Sequence, residues 1–99
     1  LSPLAAEAQY YIGRCWEELE KYYQAFLAYQ KVVDTYPYTK RTEEIIERQY
    51  RLGELFYQGK KRKLLGMSIL PARDKAIEIF RAVVNNAPYG KYAASAQYK

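Results

Sequence analysis

Carboxylates cluster twice in this chain, as Glu17, Glu18 and Glu20 and again as Glu43, Glu44 and Glu47. Paired carboxylates do acid–base chemistry when a hydrophobic pocket pushes their pKa values apart, and they hold a metal when further oxygen ligands converge. Neither cluster has a histidine to work with, because the sequence contains none. The first reads as a solvated helix face and the second as the acidic start of a helix. Gly59 and Gly66 flank basic residues in "GKKRKLLG", but the segment lacks the spacing and the Lys-Ser/Thr ending of a phosphate-binding loop. The single Cys15 falls inside a helical pattern and is expected to be a buried small hydrophobe. No catalytic constellation is present, so a non-enzymatic protein without metal or cofactor is expected.

Contact surfaces are the alternative. Twelve of the 99 residues are tyrosines, which pair a rigid apolar ring with a polar tip. Tyr10, Arg14 and Glu17 lie at i, i+4 and i+7, and so do Tyr50, Glu54 and Tyr57, with Tyr98 in the corresponding place further on. The charge marks a second region. The net +5 resides in residues 59–75, where Lys60, Lys61, Arg62, Lys63, Arg73 and Lys75 face only Asp74. The basic run leads into "LLGMSIL", whose Leu64, Leu65, Met67 and Ile69 form a stretch too short to cross a bilayer. Two readings stand. In one, the apolar part folds back over the helix ends and the cations stay in water. In the other, the segment is a docking loop for anionic lipid headgroups or an acidic partner. Nucleic acid is not expected, because no aromatic interleaves the basic run and the rest of the chain is neutral.

Hydrophobic content of 49% suits a folded chain, and the apolar residues recur with helical period. Ala8, Ile12, Cys15 and Leu19 fall on one face, the expected packing stripe of the first helix. Ala25, Tyr29, Val32 and Tyr36 do the same in the second. Pro37 and Pro88 end helices, Ser2-Pro3 starts one, and Thr42 followed by Glu43 and Glu44 starts another. Helices are predicted near 3–19, 22–36, 42–58, 71–87 and 91–99, with no strands. The break near Lys21 has no Pro or Gly to make it.

The helices repeat. "AQYYIGRCW" aligns with "RQYRLGELF" about Gly13 and Gly53, each with an aromatic three residues on (Trp16, Phe56). Ala25, Tyr29, Val32 and Pro37 are spaced four, three and five apart, as are Ala76, Phe80, Val83 and Pro88. Gly13 to Ala25 is 12 residues and Gly53 to Ala76 is 23, so the second unit holds an 11-residue insertion. Unit one spans 3–40, unit two spans 41–90 with the insertion near 59–70, and 91–99 opens a third unit. One face of helix 71–87 is then left partly uncovered, and self-association is expected.

The pattern resembles the tetratricopeptide repeat, in which small residues, an aromatic and a proline punctuate two antiparallel helices. That resemblance implies an all-α solenoid fragment of stacked helix pairs that binds other proteins. It also places the tyrosine stripe (Tyr10, Arg14, Glu17; Tyr50, Glu54, Tyr57; Tyr98) on the concave face, ready for an extended segment or a partner helix. The same tyrosines could equally pack between adjacent repeats. Gln9, Gln49 and Gln97 stand where the family usually carries an aromatic. The long first helices, the "PY-x-K" turns (Pro37 to Lys40, Pro88 to Lys91) and the interrupted second unit are similar to the BamD-type outer-membrane assembly lipoproteins. The setting so implied is the periplasmic face of the bacterial outer membrane, in β-barrel assembly. Cys15 is mid-helix and not that family's acylated cysteine, so this resemblance makes the chain an internal piece.

Overall fold

The computed structural model describes residues 3–37, 39–62 and 69–89. Four helices follow one another: α1 (Pro3–Glu18), α2 (Tyr22–Thr35), α3 (Thr42–Arg62) and α4 (Ile69–Asn86). A single 3₁₀ turn, Ala87–Tyr89, carries Pro88. No strand occurs among the described residues.

The break after α1 has a backbone cause. Glu20 takes a left-handed φ of 61°. The Glu20 amide donates to the Glu17 carbonyl and the Lys21 amide to the Trp16 carbonyl, both at 2.9 Å. This is the paired hydrogen-bond pattern that closes a helix C-terminus, made here without glycine. α2 stops before Pro37, which supplies no donor. At the start of α3 the buried Thr42 hydroxyl donates to the carbonyls of Pro37 (3.1 Å) and Thr39 (3.0 Å), tying the turn to the helix. Glu43 and Glu44 occupy its first turn, where the helix dipole favours them.

α1 packs on α2 and α3 on α4, and α2 joins the two pairs. Tyr10, Tyr29, Val32, Ile45, Leu52 and Ile79 form the centre of one continuous core. Each such side chain is worth about 1.5–3 kcal/mol of burial. The glycines set how closely each pair approaches. A Cβ on Gly13 would meet the ring of Tyr29, and one on Gly53 would lie 2.7 Å from Phe80 Cε1. Tyr29 and Phe80 are the residues that the two sequence blocks align, so both pairs close on one glycine–aromatic contact.

Three expectations are corrected. Ala8, Ile12, Cys15 and Leu19 do not pack: all four are exposed, Ile12 at 46%. The buried face of α1 runs instead through Ala6, Tyr10 and Gly13. Both stripes are apolar, and periodicity does not say which one a neighbour covers. Leu52, the counterpart of Ile12, is fully buried because α3 packs against both α2 and α4. Cys15 shares the outward face and is not buried. The insertion is also less of a loop than expected. Residues 59–62 lengthen α3 by about one turn and 69–70 lengthen α4 by about half a turn, leaving 63–68 between them.

Candidate protein-binding surface

The resemblance left two places open for Tyr10, Arg14 and Glu17, the concave face or the packing between repeats. The structure uses them to hold α1 against α3. Tyr10 is 0% exposed, and its hydroxyl donates to Glu44 and accepts from Arg14 Nη1 at 3.2 Å. Glu17 accepts from the Tyr29 hydroxyl and from Arg48 Nη1 at 3.1 Å. Arg41, just before α3, grips Glu7 through Nε and Nη2, both at 2.9 Å, and reaches Glu44 at 3.0 Å. Its guanidinium also stands 4.4 Å from the centre of the Tyr10 ring. A fork-to-carboxylate pair with an aromatic behind it is the geometry in which arginine contributes most.

The electrostatics follow this geometry. Hydrogen bonding to Arg41 holds the Glu7 carboxyl below its ordinary value. Burial works against the charge of Glu44, but hydrogen bonds from Tyr10 and Arg41 outweigh it, and its pKa is lowered too. Burial, then the bond to Glu17, pushes the Tyr29 phenol well up, so it stays a donor. These groups brace two helices.

A second network joins α2, α3 and α4. The Gln49 amide donates to Gln30 Oε1 at 3.1 Å, and the Asn86 amide donates to Gln30 and Gln49, both at 2.8 Å. Gln49 and Asn86 are buried. Gln9, the counterpart of Gln49, donates to the Ala28 carbonyl at 3.2 Å. Gln9 and Gln49, which stand where the family usually carries an aromatic, therefore bridge helices. Their recurrence at equivalent places in an apolar stripe was the available signal. Arg41, Glu44 and Arg48 were likewise readable as one charged stripe facing Glu7 and Glu17.

The α3 members of the tyrosine stripe are different. Tyr50 and Tyr57 are 47% and 42% exposed, and Glu54 is exposed beside them. The Tyr50 ring lies 5.6 Å from that of Phe80, and a hydrogen bond to Glu54 raises its pKa. Next to them a groove of about 510 Å³ runs between α3 and α4, lined by Ile46, Glu47, Tyr50, Glu54, Val83 and Ala87. A shallower groove of about 400 Å³ lies between α2 and α4, around Leu27 and Ile77.

Of the basic segment, Lys60, Lys61 and Arg62 belong to the last turn of α3, and Ile69 is the first residue of α4. Lys63, Leu64, Leu65, Met67 and Tyr98 lie outside the described residues, as does the predicted helix 91–99. Among the described residues no His, Cys, Asp and Glu group could hold a metal ion, and no helix is long and apolar enough to cross a membrane.

Comparison with known proteins gives one match. Residues 7–37 fit the family model of the tetratricopeptide repeat, and searches among curated proteins and solved structures found none. The matched stretch takes in Tyr10 and Gly13 of α1, the left-handed turn at Glu20 and all of α2. With its glycine–aromatic contact made again by the second pair, the described residues form an all-α array of tetratricopeptide-like helix pairs.

Proposed function

We propose that this protein is a non-catalytic scaffold that binds a partner protein along the edge formed by α3 and α4. One contrast carries the reading. Tyr10 is wholly buried by the helix that follows its pair, whereas its counterpart Tyr50 is half exposed beside an apolar groove. Tetratricopeptide repeats generally mediate contacts between proteins, which supports the same function. The lengthened α3 and the "PY-x-K" turns favour a more specific role in β-barrel assembly, on the periplasmic face of the bacterial outer membrane.

The test is quantitative recovery of partners from envelope extracts by the wild-type chain and by a Tyr50→Ala/Tyr57→Ala variant. Equal recovery rejects the edge. Fractionation of the full-length protein tests the setting, and a purely cytosolic protein rejects it.

A second reading rests on the localised charge. The basic segment would hold the protein on an anionic membrane, at about 1 kcal/mol per cation before screening. It predicts salt-sensitive sedimentation with phosphatidylserine vesicles that a Lys60/Lys61/Arg62/Lys63→Ser variant loses.

A further inference from the structure

The two helix pairs are joined by charges where α3 meets α1 and by neutral amides where it meets α2. On the α1 side, Arg41 pairs with Glu7 and Arg48 with Glu17. On the α2 side, Gln49 of α3 meets Gln30 of α2 and Asn86 of α4 in a closed ring of side-chain amides. Gln30 is saturated there. Its Oε1 accepts from Gln49 and Asn86, and its Nε2 donates to Asn86 Oδ1 at 3.3 Å and to Asp34 at 2.9 Å. Both hydrogens of the Asn86 amide are spent inside the ring. Among the described residues no buried side-chain nitrogen or oxygen lacks a partner.

The ring belongs to the joint and not to the fold of one pair. Gln9 holds the place of Gln49 in the first pair, yet it donates to a backbone carbonyl, that of Ala28 on its own partner helix. Arg81 and Thr35 stand where the other pair has Gln30 and Asn86.

Directionality decides what such a ring can do. The apolar core that runs through both pairs, with Tyr29, Val32, Ile45 and Leu52, attracts without direction. Apolar cores lose a unique arrangement before they lose stability. Hydrogen bonds fix distance and angle together. Gln49 and Asn86 are buried, so turning one pair on the other would strand their amides away from water.

We infer that the Gln30–Gln49–Asn86 ring is the pivot that fixes the angle between the two helix pairs. The apolar core supplies the adhesion, and the ring selects one orientation from those the core would accept.

The test replaces the whole ring, Gln30→Leu/Gln49→Leu/Asn86→Leu, so that no amide is left without its partner. Helical circular dichroism establishes that the variant is folded. Distances are read by double electron–electron resonance between spin labels on the exposed Cys15 and on Val84→Cys, one in each pair. Two controls stay inside a pair: Cys15 with Lys31→Cys, and Gln58→Cys with Val84→Cys in a Cys15→Ser background. Lys31, Gln58 and Val84 are all exposed. The expected result is a distance distribution between pairs that roughly doubles in width while both controls keep theirs.

An unchanged distribution between pairs overturns the inference. So does broadening of the controls to the same degree, which would make the amides a general tie between helices. Broadening in a Glu7→Gln/Glu44→Gln variant with none in the ring variant would assign the angle to the charged contacts, and is equally fatal. Should the triple variant not fold, Gln49→Leu alone takes α3 out of the ring and is judged by the same three distributions.

Discussion

Three helical glycines offer a graded experiment on how the pairs close. Replacing a mid-helix glycine by alanine gains about 1 kcal/mol of helix propensity when nothing opposes the new methyl. Gly59 is that case, with no atom within 4 Å of the added Cβ. At Gly53 the methyl would lie 2.7 Å and 2.9 Å from two Phe80 ring atoms. Phe80 is only partly buried, and the buried Ile79 Cγ2 at 3.1 Å has to give by only a few tenths of an ångström, so overpacking near the low end of about 1–3 kcal/mol roughly cancels the gain. At Gly13 the methyl would drive into Tyr29, which is 0% exposed and tethered to Glu17. There the cost sits near the top of the same range, leaving a net loss of about 2 kcal/mol. Urea unfolding followed by helical circular dichroism gives each value from the midpoint at constant slope. The expected order of stability is Gly59→Ala above wild type, Gly53→Ala near it and Gly13→Ala clearly below. A Gly13→Ala protein as stable as Gly59→Ala would show that the first pair does not close on that ring.

Other perturbations address the networks. Glu7 and Glu44 have pKa values below their ordinary 4.5 in the folded state, so the unfolded chain takes up protons first as pH falls. Their stabilisation is complete above that value and is lost as pH drops through the lower folded values. Melting from pH 7 to pH 3 should fall less steeply in a Glu7→Gln/Glu44→Gln variant, and an unchanged slope would exclude the Arg41 brace. Gln49→Leu strips partners from buried Asn86 and from Gln30, at about 1–3 kcal/mol by denaturant titration. Glu20→Gly relieves a left-handed residue and should raise stability by about 1 kcal/mol, read as a higher thermal midpoint.

Legibility differed by residue. Gly13 and Gly53, like Tyr29 and Phe80, were legible as repeats of one another, but that each glycine lies under its aromatic is a contact only the packed helices show. Pro37 ended α2 for the reason any proline does. The α1 terminus was readable only as a change of pattern, since Glu20 adopts a conformation its side chain does not advertise.

From its residues alone this chain declared helices and their repetition. Those properties follow from local backbone preference, periodicity and side-chain type. Which tyrosine is glue and which is surface was settled in three dimensions. Tyr10 and Tyr50 hold equivalent places in the repeat, each after a glutamine and three residues before a glycine, yet one lies under α3 and the other borders the groove. Burial belongs to the neighbour a helix acquires, and the helix's own pattern of apolar residues cannot specify that neighbour.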